Sequence, residues 1–233
     1  MQYTNPYIEL CLEGSSSIFK GLNQKDKDTI AQHHNYTIIK RGNLLFKEGE
    51  KSRGLVCLAS GKVKIFKVGV GGREQILKMV RQNGFIGYRA LFFDNVWTFS
   101  ATAIEESIIC VLEKNSLLKI LKKNSDLSLK FTRLVTEELG VSYNRTISLT
   151  QKHIRGRLAE SLILLRDTYG FEPDDKAIRI SLSREDIAHL SNMTTSNAIR
   201  TLSNLASEGI IEIKGRRISI LENTNLEHIS ELG

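Results

Sequence analysis

Cysteine, tryptophan and long apolar runs are all scarce in this chain. Of its 233 residues three are cysteine and one is tryptophan. Cys11, Cys57 and Cys110 stand far apart and form no Cys-x-x-Cys pair, which points to a reduced compartment. Cys57, in LVCL, and Cys110, in IICVL, lie inside apolar runs, where cysteine behaves as a small buried hydrophobe. No apolar run approaches the roughly 18 residues that a membrane span needs. The opening MQYTNPYIEL lacks both the basic start and the apolar core of a signal peptide. The expectation is a cytoplasmic protein with no membrane contact.

Catalytic signatures are equally thin. GVGGR, residues 69–73, lacks the lysine and following helix of a phosphate-binding loop. The five histidines are dispersed except for the pair His33–His34. No nucleophile–base arrangement and no metal-ligand spacing is visible. The chain is not expected to be an enzyme, nor to hold a metal.

What is present is an ordinary globular composition, 41% hydrophobic and 25% charged, with a formal charge of +7. A basic chain invites a nucleic-acid reading, but the distribution weakens that argument. From Arg145 onward Lys/Arg and Asp/Glu number twelve each, so the excess lies in the first 144 residues. The case for DNA must rest on pattern.

Three patterns follow one another. Up to about residue 112, short segments rich in β-branched and aromatic residues read as strands: 36–40, 44–47, 54–58, 62–68, 75–80, 101–103 and 107–112. Glycines punctuate them, and such spacing suggests a sandwich or barrel. QKDKDTIAQHH, residues 24–34, predicts a short helix ahead of it. The period then changes. KNSLLKILKK, 114–123, predicts a short helix, and a long one of about 25 residues follows with Asp126 as its cap. Leu127, Phe131, Leu134 and Val141 form a heptad-like seam along it, interrupted by Glu138. Such a stripe fits a dimer interface, or a helix lying on its own β-domain. From residue 153 a third pattern begins: an amphipathic helix stopped by Gly170, a strand at 177–182, more helix, and a hairpin at 210–220.

The segment richest in functional content is SREDIAHLSNMTTSNAIRTLSNLASEG, residues 183–209. Ser183 with Asp186 starts a short helix, and small Ala188 lets a second helix approach closely. Asn192 suits the turn because it tolerates a left-handed backbone. Thr194 caps the second helix, on which Ala198, Leu202 and Leu205 face inward. Thr195, Ser196, Asn197 and Arg200 face out. This is helix–turn–helix geometry, whose second helix enters the DNA major groove. The hairpin behind it makes the winged form, with Lys214, Arg216 and Arg217 at the wing. These eight residues, Thr194 included, are the expected DNA contacts. A helical hairpin built for protein packing is the alternative, although a Thr/Ser/Asn/Arg face suits protein contact poorly. A ligand-binding module acting through a protein partner is the corresponding alternative function.

With KRGNLLFKEGE, LASGKVKIF and NGFIGYRALF in the first region and the winged segment in the last, the chain resembles the Crp/Fnr family of bacterial transcription regulators over nearly its full length. The resemblance implies an α+β protein: an N-terminal double-stranded β-roll, jelly-roll-like, at 1–124; a dimerisation helix at 125–152; a winged helix–turn–helix at 153–233. It implies a homodimer on double-stranded DNA, a small-molecule effector in the β-roll, and RNA polymerase as a further partner. It also places an effector pocket at Gly87, Tyr88, Arg89, Trp97 and Phe99. Members that bind cyclic AMP carry Gly-Glu-Leu there and a later Arg-Ser or Arg-Thr pair. Here Gly87 is retained, but Tyr88 and Arg89 replace the next two residues, and the later pair falls near Asn95–Val96. A cyclic phosphate buried without its arginine is costly, so cyclic AMP is not the expected effector. Oxygen-sensing members carry an N-terminal cysteine cluster; Cys11 alone cannot supply an iron–sulfur centre. Haem, bound by some members, would fall to His33, His34 or Cys57, which read more simply as solvated and core residues. In the reading helix, Thr195 and Ser196 stand where members with TGTGA-like half-sites carry Arg and Glu, while Arg200 matches.

Overall fold

The computed structural model describes residues 5–15, 17–173 and 176–233. The chain divides into two compact units, residues 1–67 with 78–139, and residues 68–77 with 140–233.

The first unit begins with α1 (Pro6–Glu13) and α2 (Gln24–Gln32), capped by the side chains of Asn5 and Asn23. The strands come next: β1 (His34–Ile39), β2 (Leu44–Phe46), β3 (Gly54–Ser60), β4 (Val63–Val68), β5 (Glu74–Val80) and β6 (Phe85–Ile86). A short helix, α3 (Tyr88–Phe92), precedes β7 (Ser100–Ala103) and β8 (Ser107–Glu113). They form two four-stranded sheets, ordered β1-β8-β3-β6 and β2-β7-β4-β5. Alternation along β3 explains the layering, because successive side chains point to opposite faces. Val56 and Leu58 enter a core shared with Phe46, Ile65 and Ala101 of the second sheet and with Trp97 from the loop before β7. Leu55, Cys57 and Ala59 point the other way, into a core covered by helices. Both faces of β3 are thereby buried, which is why LVCL reads as a continuous apolar run.

That second core includes residues of α4 (Lys114–Lys123) and of the long helix α5 (Ser125–Gln151). The cap of α5 is Asn124, whose side-chain oxygen accepts from the Leu127 amide at 2.9 Å; the expected Asp126 lies in the first turn. Of the seam expected to meet a partner, Leu127 and Phe131 are corrected here. Leu127 and Phe131 are each 2% exposed and belong to the protomer's own core, with Leu134 packed against it. Phe131 meets Phe19, Tyr88 and Phe92 edge-on. Val141 is exposed but lies on that same angular side of the helix. The opposite side carries Leu129, Leu139, Tyr143 and Ile147, all exposed.

The second unit holds the C-terminal part of α5, then α6 (Ile154–Tyr169), α7 (Arg184–Leu190), α8 (Thr195–Ser207), the hairpin β9 (Ile211–Lys214) and β10 (Arg217–Ile220), and α9 (Asn223–Leu232). α6 ends at Gly170, with φ +71°. The strand expected at 177–182 reduces to isolated bridges, Phe171↔Ile178 and Ala177↔Ser219. The Ile180 amide turns back onto the Ile178 carbonyl at 2.7 Å, which ends the extension after two residues. No described helix is long and apolar enough to cross a membrane.

Candidate nucleic-acid interface and sensor pocket

The helix–turn–helix is built by local chemistry. Ser183 Oγ accepts from the Asp186 amide at 2.9 Å and starts α7. Asn192 takes φ +50° in the turn. Thr194 Oγ1 accepts from the Asn197 amide at 3.3 Å and starts α8. Inward, Ala198, Leu202 and Leu205 are fully buried, so the docking of α8 on α7 and α6 is apolar and its other face is fixed. Thr194, Ser196 and Arg200 are exposed on that face, while Thr195 and Asn197 are half-buried. Arg200 Nη2 donates to Asn197 Oδ1 at 2.9 Å, so the guanidinium lies along the N-terminal half of α8.

The wing stands beside it. Lys214, Gly215, Arg216 and Arg217 are exposed at its end, and Lys214 pairs with Glu212 at 2.9 Å. Two supports escaped the sequence reading. Arg184 of α7 donates to the Gly215 carbonyl at 2.8 Å and braces the wing turn. Arg145 of α5 donates to the Leu190 carbonyl at the end of α7. Burial lowers the affinity of Arg145 for its proton, opposed by the field of Glu160. Isolated arginines in a helical sequence give no sign of such long-range bonds. Arg155 of α6 forks onto the Glu208 carboxylate, with Nη1 to Oε1 at 2.6 Å, and fixes the far end of α8.

The residues expected to line an effector pocket are brought together, but around one another. Gly87 adopts φ +103° ahead of α3, a conformation that favours glycine. A Cβ built there would lie 2.6 Å from Trp97 Cζ3. The Trp97 indole, 5% exposed, stacks on Phe46 with ring centroids 3.8 Å apart and an interplanar angle of 10°. Phe99 packs against both at a tilt. Tyr88 turns towards Phe131, and burial pushes its phenol well above the usual range. Arg89 is exposed: it pairs with Asp94 at 3.1 Å and lies over the Phe93 ring. Burial acts to raise the Asp94 carboxyl, but the Arg89 hydrogen bond and a backbone amide prevail and hold it down. Thus the arginine available to an anion is engaged outside, and the space against Gly87 is filled by an indole. The candidate haem ligands are similarly occupied: His33 and His34 bond to backbone carbonyls of Thr29 and Ala31, and Cys57 is a core residue.

Residues 37–124 match the family described as "Cyclic nucleotide-binding domain", and residues 156–229 match "Crp-like helix-turn-helix domain". The fumarate and nitrate reduction regulatory protein of Vibrio cholerae is 28% identical over 195 residues, covering 82% of this chain and 77% of its own. The CRP-like cAMP-activated global transcriptional regulator of Mycobacterium tuberculosis is 25% identical over 213 residues, covering 91% and 95%. Among solved structures, FixK2 from Bradyrhizobium japonicum has a TM-score of 0.76 at 20% identity, covering 84% of this chain and 96% of that one. A CRP-family transcriptional regulator from Thermus thermophilus has 0.72 at 23%, with the same coverage. A β-roll of the cyclic-nucleotide-binding type joined to a winged helix–turn–helix defines a DNA-binding transcription regulator. The chain belongs to the Crp/Fnr family.

Proposed function

We propose that this regulator works as a cytoplasmic homodimer without catalytic activity, reads DNA through the exposed face of α8 and the wing, and is not switched by cyclic AMP. The observation that carries the DNA reading is the polar N-terminal face of α8, with Arg200 exposed and Thr194, Ser196 and Asn197 around it. Arg200 supplies a fork for a guanine edge; Lys214, Arg216 and Arg217 supply phosphate contacts. The partner helix meets the stripe Leu129, Leu139, Tyr143 and Ile147, a row of exposed apolar side chains with no cover in one protomer. Two copies then present their α8 helices to half-sites about 34–36 Å apart, one helical turn of DNA. The DNA-bound dimer would act on transcription through RNA polymerase.

The effector reading follows from Trp97. A cyclic phosphate would need the place against Gly87 that the indole holds, and Arg89 would have to leave Asp94. A small apolar or amphipathic molecule that displaces Trp97 and stacks on Phe46 suits the lining better. Trp97 is the chain's one tryptophan, so its fluorescence reads the pocket directly. Titration with cyclic AMP should leave both the emission and the DNA affinity unchanged. A saturable spectral shift accompanied by tighter DNA binding contradicts this reading.

A further inference from the structure

His33 and His34 are adjacent in the sequence but bonded differently. His33 bonds through Nδ1 to the Thr29 carbonyl at 2.9 Å, at the end of its own helix α2. His34, half-buried at the start of β1, joins two other elements. Its Nδ1 lies 2.5 Å from the Ala31 carbonyl of α2, and its Nε2 lies 3.1 Å from Asn5 Nδ2. Asn5 Oδ1 in turn accepts from the Tyr7 amide at 2.9 Å and caps α1. A continuous hydrogen-bonded chain thus runs from the end of α2, through the first residue of β1, to the start of α1.

Both ends of that chain are backbone groups, which leaves no freedom in the middle. A carbonyl only accepts, so His34 Nδ1 carries the proton. A backbone amide only donates, so Asn5 turns Oδ1 to Tyr7 and Nδ2 to the ring. Nε2 must then accept, and the pattern admits the neutral Nδ1–H ring alone. A proton added at Nε2 sets one donor against another. Either the ring leaves Asn5 and the tie between α1 and β1 is lost, or the Asn5 amide flips and the cap is lost. No charged neighbour relieves the clash. Leu112 stands opposite His34 on β8, and the next residue, Glu113, turns its carboxylate to Ser116. On α1 the Tyr7 ring lies against Tyr36, Glu9 is exposed and Glu13 pairs with Lys27 of α2. The α2 carboxylates Asp26 and Asp28 bond within their own helix start, to Asn23 and Gln24. Among the described residues no ion pair reaches His34.

We propose that Asn5 and His34 form a pH-sensitive latch on α1, closed while the imidazole is neutral and opened by its protonation. The proton is taken up at Nε2, the hydrogen bond to Asn5 Nδ2 breaks, and the first turn of α1 frays from β1. The latch is whole at neutral pH and above, and fades as pH falls through the range in which an imidazole charges. His33 has no such effect, because its Nδ1 donates to Thr29 whether or not Nε2 holds a proton. α1 responds to so small a change because its eight residues are too few for a helix to persist alone. Its start depends on the cap and on Ile8, Cys11 and Leu12 in the core. Leu127 and Phe131 share that core, so an open latch loosens the packing at the base of α5.

The test reads exchange of the Tyr7 amide by NMR in the full-length chain, at about pH 7.5 and about pH 5.5, which bracket the charging of an imidazole. Rates are corrected for the intrinsic pH dependence of exchange. Protection is expected to fall roughly fivefold in acid, as for the loss of one helix cap. Asn5→Asp keeps a good cap and gives the imidazolium an acceptor, so its protection should rise in acid instead. His34→Phe should abolish the pH response, and His33→Gln should leave it intact. Should His34→Phe fold poorly, the reversal in Asn5→Asp still decides. Nitrogen-15 spectra of His34 at neutral pH should show Nδ1 protonated and Nε2 unprotonated. Unchanged wild-type protection overturns the proposal, as does an Nε2–H ring at neutral pH. So does a fall in Asn5→Asp equal to that of the wild type. None of these readouts involves DNA, so the outcome is independent of the proposed operator contacts.

Discussion

The proposed effector reading turns on Trp97 and the proposed DNA reading on Arg200. Replacing Trp97 by Ala removes a ring stacked on Phe46 and should cost about 3–5 kcal/mol in chemical denaturation. Gly87→Ala meets both the left-handed φ of +103° and the indole 2.6 Å away; strain of that kind costs on the order of 1–3 kcal/mol. Equal stability of the Gly87→Ala variant and the parent would show that the indole does not occupy that space in solution. Arg200→Ala should lose about 1–3 kcal/mol of discrimination at one base pair per half-site. Changing Arg216 and Arg217 together should weaken all sequences alike and flatten the salt dependence of binding. At this scale the sequence was informative: Ser183, Asn192 and Thr194 announce their caps and turn because those residue types bond locally. Arg145 and Arg184 were illegible, since a long side chain reaching a distant carbonyl leaves no mark on its neighbours in sequence.

α5 shows what periodicity can and cannot tell. Its helical period and length are plain in the sequence, and so is the stripe Leu127–Phe131–Leu134. Which neighbour the stripe meets is not, because a protomer's own core and a partner helix both ask for apolar residues at the same spacing. The stripe went to the core, and the opposite face, with Leu129, Leu139, Tyr143 and Ile147, was left exposed. The two faces should therefore separate experimentally. Phe131→Ala should cost about 3–5 kcal/mol of stability and leave self-association intact once folded. Leu139→Asp with Tyr143→Asp should yield a folded monomer in analytical ultracentrifugation. A dimer that survives the double change places the interface elsewhere. The β-roll strands were legible for the converse reason: short segments rich in β-branched and aromatic residues between glycine turns suit a strand whatever covers it. β6 was missed because two residues carry no period.

At the scale of the whole molecule, several surface carboxylates are tied to stability. Glu208 is held below the usual range by the Arg155 fork, and Glu113 by the Ser116 hydroxyl; Asp94 is lowered against its desolvation by Arg89. A carboxyl depressed in the folded state contributes stability above its unfolded pKa and loses it as pH falls through the folded value. These groups predict a urea midpoint insensitive to them at neutral pH that declines as pH drops below about 4. Arg155→Ala should remove the Glu208 share of that decline. Being solvent-facing, each contributes modestly.

The central claim, a dimer reading DNA through the α8 face, is tested most directly by sequencing the genomic fragments retained by the wild type and by Arg200→Ala at one fixed salt concentration. Paired half-sites about one helical turn apart are expected for the wild type, with preference at one base pair of each half-site lost in the variant. Identical motifs from both proteins, or a single unpaired site, would contradict it.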